Sequence, residues 1–101
     1  MRKIEKAVLS AVQNKRDFRL DNTSVFFIPA SESGNPFGAR SEIYLHGNLI
    51  AEYWHDQAAP LAVNRDTLAR WPTPTTKSRL RALGANVTTR KGVTYLNDQA
   101  V

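Results

Sequence analysis

The sequence predicts an α+β fold, in which an antiparallel β-sheet carries two helices on one face, within a single domain spanning residues 1–101. Three observations predict it. The length suffices for one modest core. Apolar residues at helical spacing open the chain and return near residue 80. The other segments are short runs of β-branched and aromatic residues separated by turn residues, and the predicted order is α-β-β-β-(β)-α-β-β.

The first predicted helix runs from about Lys3 to Asn14. Its apolar residues recur at spacings of three and four and form one stripe; they are Ile4, Ala7, Val8, Ala11 and Val12. Lys3 and Lys6 fall on the opposite side, where a solvated helix back is the simplest interpretation. Polar residues interrupt the apolar run, so we expect neither a signal peptide nor a membrane span.

The segment TSVFFIP, residues 23–29, predicts a strand that ends at Pro29. Residues 30–40 then combine Ser, Gly, Asn and Pro without periodicity, which predicts a loop long enough to be mobile or functional. Nothing in its composition assigns it a role.

The clearest local pattern is SEIYLHGNLIAEYWH, residues 41–55, which predicts a β-hairpin turning at His46-Gly47-Asn48. A two-residue loop would pair His46 with Leu49 and would bury Glu52. We favour a three-residue loop that pairs Leu45 with Leu49, because it gives one clean apolar face. That face comprises Ile43, Leu45, Leu49, Ala51 and Tyr53.

The opposite face of this hairpin would carry Tyr44 and Trp54, which could form an aromatic surface for contact with a protein partner. Partial cover by a loop is the alternative. Glu42 and Glu52 face each other in this register, and two like charges across a hairpin are more typical of a wet surface than of an acid–base pair.

The segment LAVN, residues 61–64, suits a short fourth strand, and a second helix follows. We expect Pro72 and Pro74 to exclude an earlier start, Thr75 to cap the helix, and Gly84 to end it in a left-handed conformation. The tail NVTTRKGVTYLN then predicts a terminal hairpin turning around Arg90-Lys91-Gly92.

The charge balance indicates the class of partner. Fourteen Lys and Arg against nine Asp and Glu give a formal net charge of +5, and the pI is near 10.0. Such an excess favours a polyanion, although surface charge for solubility is the alternative. Because the chain has no cysteine, disulfides and thiolate metal sites are excluded, and a reducing compartment such as the cytoplasm is expected.

The second helix concentrates the candidate phosphate contacts. Lys77 and Arg81 lie four residues apart on one outer face, and Arg79 flanks the apolar stripe. The N–H groups of the first turn, with the hydroxyls of Thr75 and Thr76, favour an anion. Alternatively, the threonine only caps the helix and the cations are solvated, and Trp71 is a buried anchor rather than a stacking surface. The candidate nucleic-acid contacts are Arg70, Trp71, Thr75, Thr76, Lys77, Arg79, Arg81, Arg90 and Lys91.

The sequence shows no recognisable enzyme motif. His46 and His55 match no zinc-ligand spacing, and there is no phosphate-binding glycine loop or nucleophile elbow. We therefore expect a protein that is not an enzyme, with no catalytic residue, metal or cofactor.

The strings IYLHGNLIAEY and WPTPTTKSRLRALG resemble a group of small proteins encoded by tailed bacteriophages. In that group a helix similar to the present N-terminus precedes a YLHGN.IA hairpin and a W.T.TTKSRL.AL helix, so the resemblance reaches Gly84. The stretch 30–40 is longer than the group's usual connection. The resemblance implies a phage origin and a protein that acts by binding, either to nucleic acid or to a host enzyme or defence complex.

A weaker resemblance is architectural. The order α-β-β-β-α, with cations at the start of the last helix, is similar to that of double-stranded RNA-binding domains. The leading hypothesis is a phage nucleic-acid-binding module. The rival is an inhibitor that docks on a host or defence protein, where a basic protein could also occlude an acidic groove. The sequence leaves open the target, the choice between RNA and DNA, and the oligomeric state.

Overall fold

A computed structural model describes residues 1–33 and 37–101. The elements of these residues are α1 (Lys3–Gln13), β1 (Phe18–Leu20), β2 (Thr23–Ile28), α2 (Ala30–Ser33), β3 (Arg40–Leu45), β4 (Asn48–Trp54), β5 (Leu61–Val63), α3 (Arg65–Arg70), α4 (Pro74–Ala82), β6 (Val87–Arg90), β7 (Val93–Leu96) and β8 (Gln99–Ala100). Strands β1 to β5 form one antiparallel sheet in chain order, and β6 to β8 form a second. The predicted α+β class and element order are confirmed, and β1, β8, α2 and α3 are additional short elements.

One face of the five-stranded sheet, the inner face, carries the core. Its buried members are Thr23, Val25, Ser41, Ile43, Leu45 and Ala51. The apolar stripe of α1 packs on β2, while α3 and α4 pack on β4, so the helices cover the same face. The small second sheet joins this core through Val87 and Leu96. Burial of these side chains stabilises the fold because it removes apolar surface from water.

The opposite face of the sheet, the outer face, is partly open to solvent. The pairing of β2, β3 and β4 shows which residues alternate with those of the inner face. The residues on the outer face are Phe26, Ile28, Arg40, Glu42, Tyr44, Leu49, Glu52 and Trp54. Phe26 is 45% exposed, and the others are half-buried. The alternation therefore follows the pattern of an antiparallel sheet with one packed and one wetted face.

The register of the β3–β4 hairpin differs near the turn from the register that we favoured. The loop has two residues, His46 and Gly47, both with positive φ, so Leu45 pairs with Asn48 rather than with Leu49. A bulge then restores the predicted pairing of Ile43 with Ala51. Because the bulge adds one residue to β4, Ile50 is buried, whereas Leu49, which we expected in the core, is only half-buried.

The second predicted helix, α4, begins two residues earlier than expected. Thr73 is the N-cap, since its Oγ1 accepts the Thr76 N–H at 3.2 Å, and Pro74 occupies the first turn, where a missing N–H costs nothing. The expectation that Thr75 is the cap is therefore wrong. At the other end, Gly84 takes φ +105° and the Ala85 N–H donates to the Leu80 carbonyl, as predicted for a left-handed stop.

The short strands β1 and β8 depend on two-residue turns that sequence reading did not recognise. Asp21 in the β1–β2 turn and Asn97 in the β7–β8 turn both adopt positive φ. Lys91 and Gly92 do the same in the terminal hairpin, which is confirmed. Asn and Asp tolerate this conformation because their short side chains hydrogen-bond locally.

The predicted loop over residues 30–40 contains α2 and the first residue of β3. Residues 34–36 of that prediction lie outside the described residues. The elements β1, β5 and α3 depart from the α-β-β-β-α order of a double-stranded RNA-binding domain, so that likeness remains an analogy.

Candidate nucleic-acid interface

The three cations of the KSRLR segment have different environments. Arg79 is buried at 5% exposure, and its Nη1 donates to Glu5 Oε2 at 2.8 Å, while its Nε donates to Thr23 Oγ1. The guanidinium thus joins α4 to α1 and β2 from within the core. The prediction that Arg79 lies at the surface for phosphate binding is therefore corrected, because a paired and buried charge is not available to a solvent-side partner.

Glu5 is the buried partner of Arg79, although it is not part of the predicted apolar stripe of α1. Burial would raise the pKa of this carboxyl. Hydrogen bonds from Ser78 Oγ, the Arg2 backbone N–H and Arg79, together with the charge of Arg79, outweigh burial and lower the pKa from 4.5. Glu5 is therefore ionised at neutral pH and holds Arg79 in place.

Lys77 and Arg81 lie together on the flank of α4 that contacts β6. Lys77 Nζ donates to Thr89 Oγ1 at 2.6 Å, and Arg81 Nε donates to the Val87 carbonyl at 2.7 Å. Lys77 is half-buried rather than exposed as we expected, whereas Arg81 is exposed. Arg81 makes this hydrogen bond through Nε, and its two Nη groups lie beyond Nε at the end of the exposed side chain. We call Lys77 and Arg81 the basic pair.

The first turn of α4 already uses donors that we expected to bind phosphate. Thr73 Oγ1 accepts the Thr76 N–H and lies 3.0 Å from Thr76 Oγ1, and the Thr73 carbonyl accepts the Lys77 N–H. Thr76 is buried at 3% exposure, and Thr75 is half-buried. Thr76 is therefore a structural residue, and the capping interpretation describes this turn better than an anion site does.

Arg70 and Trp71 stay at the surface, and they lie together. The Arg70 guanidinium carbon is 5.4 Å from the centre of the Trp71 ring, a cation–π contact, and Trp71 is 41% exposed. The alternative that Trp71 is a buried anchor is thus wrong. Trp71 lines a groove of about 390 Å³ between the start of α4 and the β3–β4 turn, which we call the Trp71 groove.

Arg90 and Lys91 lie at the end of the terminal hairpin, where both are exposed. Strand alternation turns Arg90 away from Thr89 and places it over the Tyr95 ring at 4.2 Å, with Asp98 Oδ1 at 3.8 Å. The structure therefore places Arg90 on the other face of the hairpin from the basic pair. Lys91, in the turn itself, follows directly in the chain.

Charge is distributed unevenly along the sequence. Residues 67–97 contain Arg70, Lys77, Arg79, Arg81, Arg90 and Lys91 and no Asp or Glu. This segment supplies α4, β6, β7 and most of the Trp71 groove wall. Arg79 is paired with Glu5, and Arg90 lies 3.8 Å from Asp98, both carboxylates from outside this segment, so the basic pair, Arg70 and Lys91 are its remaining cations.

The predicted protein-contact residues Tyr44 and Trp54 both lie on the outer face. Tyr44 packs edge-on against Phe26 at 5.6 Å, and Trp54 packs against Phe37 at 6.5 Å. Tyr44 OH donates a hydrogen bond to Glu42 Oε1. Burial, followed by this hydrogen bond, raises the pKa of Tyr44 above 10.0.

Glu42 and Glu52 face each other on this surface as predicted, and Arg40 lies between them. Its Nε is 3.2 Å from Glu42 Oε2 and 3.4 Å from Glu52 Oε2. One guanidinium therefore bridges the two carboxylates, as in a structural ion cluster, which agrees with the wet-surface interpretation.

Sequence reading missed one polar pair, Ser41 and His55. Ser41 Oγ lies 2.8 Å from His55 Nε2, and burial, followed by the charge of Lys15, lowers the His55 pKa from 6.5. The two residues are 14 positions apart, and only the register of β3 and β4 brings them together. Ser41 is fully buried, so its hydroxyl cannot reach a substrate in solvent, and the pair fixes the end of the inner face.

Within residues 1–33 and 37–101, no group of three His, Cys, Asp or Glu side chains is arranged to hold a metal ion. Among the same residues, no helix has the length and apolarity needed to cross a bilayer.

Comparison with known protein families places the chain in one of them. The family described as Kyanoviridae Gp96 protein matches the chain over residues 1–101. No curated protein and no solved structure matches it. The full-length match supports the phage relationship that the sequence strings implied. The chain therefore belongs to the Kyanoviridae Gp96 protein family, a family of bacteriophage proteins.

Proposed function

We propose that this phage protein is a non-enzymatic nucleic-acid-binding protein that contacts phosphates through the basic pair, with help from Arg70 and Lys91. One observation carries the proposal. Lys77 and Arg81 are held side by side against β6, within a segment of the chain that has no carboxylate. Two preordered cations bind a phosphate chain at a lower entropy cost than two mobile ones.

The hydrogen bonds of the basic pair leave their charges usable. Each bond ends on a neutral oxygen, Thr89 Oγ1 or the Val87 carbonyl, so neither charge is cancelled by a partner. Arg79, by contrast, spends its charge on Glu5. The net charge of +5 would bring a polyanion toward the surface and raise its rate of association.

The direct test is the affinity for a fluorescent oligonucleotide of mixed sequence at low salt, measured by anisotropy. We expect Lys77→Ala/Arg81→Ala to bind about tenfold more weakly, a loss of about 1.4 kcal/mol. Lys3→Ala/Lys6→Ala is the matched control, since it removes the same charge from the exposed side of α1. A double variant at 77 and 81 that binds as tightly as the parent would overturn the proposal.

A second candidate function is inhibition of a host or defence protein through the outer face. It is favoured by the position of Phe26, Tyr44 and Trp54 on a sheet face that the packed helices leave open. Aromatic side chains are enriched in protein interfaces. If this function operates, Trp54→Ala abolishes capture of a host protein from nuclease-treated lysate, and the variants of the basic pair capture it normally.

A further inference from the structure

The Trp71 groove has the composition of a site for a flat, partly polar ring. Its floor is apolar and includes Leu45 and Ile50, which are almost fully buried. Trp71 lines the groove together with His46 of the β3–β4 turn and Asn48 at the start of β4. An indole offers a face for stacking, and an imidazole and an amide offer hydrogen-bond donors and acceptors beside it.

We propose that the Trp71 groove receives one unpaired base of a single-stranded nucleic acid, which stacks on Trp71 while its edge meets Asn48 and His46. This inference rests on the proposed function, because the phosphates next to that base are bound by Arg70 and the basic pair. The volume of about 390 Å³ lies within the range of small-ligand sites and exceeds the needs of one base.

The position of the groove connects it to the cations. Thr75 lines the groove, and Lys77 lies two residues further along α4 on the flank toward β6. Arg70 directly precedes Trp71 in the chain, and its guanidinium lies over the Trp71 ring. A strand whose base enters the groove and stacks on Trp71 therefore passes close to Arg70, and Lys77 follows two residues after the groove residue Thr75.

Charge and geometry favour this occupant over others. None of the lining residues is acidic, so an anionic ligand meets no repulsion. A basic peptide would find no carboxylate among them. A base within a duplex is already stacked and paired, and it cannot enter a groove without leaving the helix, which costs a few kcal/mol. Single strands are the nucleic acids whose bases are available for stacking on aromatic side chains.

Fluorescence of Trp71 tests the inference directly. The chain has two tryptophans, so Trp54→Phe leaves Trp71 as the single indole emitter. This protein is titrated at low salt with a thymidine 12-mer, with a blunt-ended duplex of two separate strands at equal phosphate concentration, and with a 12-mer of abasic sites. We expect strong quenching by the thymidine strand and little by the other two, because only that strand supplies bases free to stack.

Affinity measurements on variants complete the test. In the parent chain, Trp71→Ala is expected to weaken thymidine-strand binding about 5- to 150-fold, the range for loss of one stacked base, and to leave abasic-strand binding unchanged. Trp71→Phe should recover part of the loss. Asn48→Ala provides a second variant that keeps Trp71 in place, and thermal melting verifies that each variant is folded.

The outcomes separate this inference from the proposed function. If none of the three nucleic acids binds at low salt, the proposed function fails and the inference fails with it. If all three bind equally and none quenches Trp71, phosphate binding stands and the base site is overturned. Quenching by the duplex equal to that by the thymidine strand also overturns it.

Discussion

Arg79 and Arg81 are two positions apart in α4, and their surroundings give them different roles. Arg79 is sealed in a cluster with Glu5, Ser78 and Thr23, whereas Arg81 is exposed and donates one hydrogen bond to a backbone carbonyl. Removal of one partner from a buried ion pair leaves the other charge uncompensated, which costs more than the pair itself contributes. The same residue type therefore supports the fold at 79 and remains available for binding at 81.

Stability should distinguish the two arginines. We expect Arg79→Met to lower the free energy of unfolding by about 3–5 kcal/mol, and Arg81→Met by about 1 kcal/mol, through one lost hydrogen bond. Urea unfolding measures both. Glu5→Leu/Arg79→Met should recover most of the stability, because no charge is then left buried. Equal stability of the two single variants would contradict the assignment.

The protonation of His55 should make the stability depend on pH. Its folded pKa is lowered by burial and by Lys15, so the unfolded chain binds more protons as the pH falls through 6.5. The contribution of neutral His55 to stability is therefore complete above the pKa that His55 has in the unfolded chain. It is lost as the pH falls toward the lower pKa that His55 has in the folded protein. Urea midpoints measured from about pH 8 to about pH 5 should fall, and His55→Gln should flatten that part of the profile.

At the scale of elements, the start of α4 assigns different tasks to threonines that look alike in sequence. Thr73 caps the helix, Thr75 lines the Trp71 groove, and Thr76 is buried against the cap. Pro74 in the first turn makes the earlier start possible, since proline supplies the required φ without needing a donor. The cap, not an anion, satisfies the Thr76 N–H.

Cap loss should appear at position 73 and not at 75. We expect Thr73→Ala to lower stability by about 1 kcal/mol through the lost hydrogen bond to the Thr76 N–H. Thr75→Ala should change stability by less than about 0.5 kcal/mol, as is usual for side chains without such a role. Thermal melting of both variants measures this, and a larger loss at 75 would show that the cap is misassigned.

The elements that the sequence predicted are those with a strong periodic or turn pattern. Helix α1, strand β2, the β3–β4 hairpin and the end of α4 at Gly84 all have one. The register near Leu49 was wrong because a bulge follows the two-residue turn, and no local residue pattern announces a bulge. Arg79 was misplaced because it resembles a surface charge until the fold brings it against Glu5, which lies 74 positions away in the chain.

At the scale of the whole molecule, the chain extends over 44 × 28 × 21 Å. The five-stranded sheet presents an aromatic outer face, whereas the cations of the acid-free segment lie on α4, at the Trp71 groove and on the terminal hairpin. The two proposed binding surfaces therefore use different residues, and variants can disable one without touching the other. Nucleic-acid binding through Lys77 and Arg81 is the central claim.

The salt dependence of binding tests that claim most directly. For the parent and a mixed-sequence oligonucleotide, the logarithm of the binding constant should fall linearly with the logarithm of salt concentration between about 50 mM and 200 mM. Lys77→Ala/Arg81→Ala should reduce the slope by about 1.4 to 1.8, the loss of two phosphate contacts, and Lys3→Ala/Lys6→Ala should leave it unchanged. Equal slopes for the parent and the 77/81 variant, or an equal reduction by both double variants, would contradict the account.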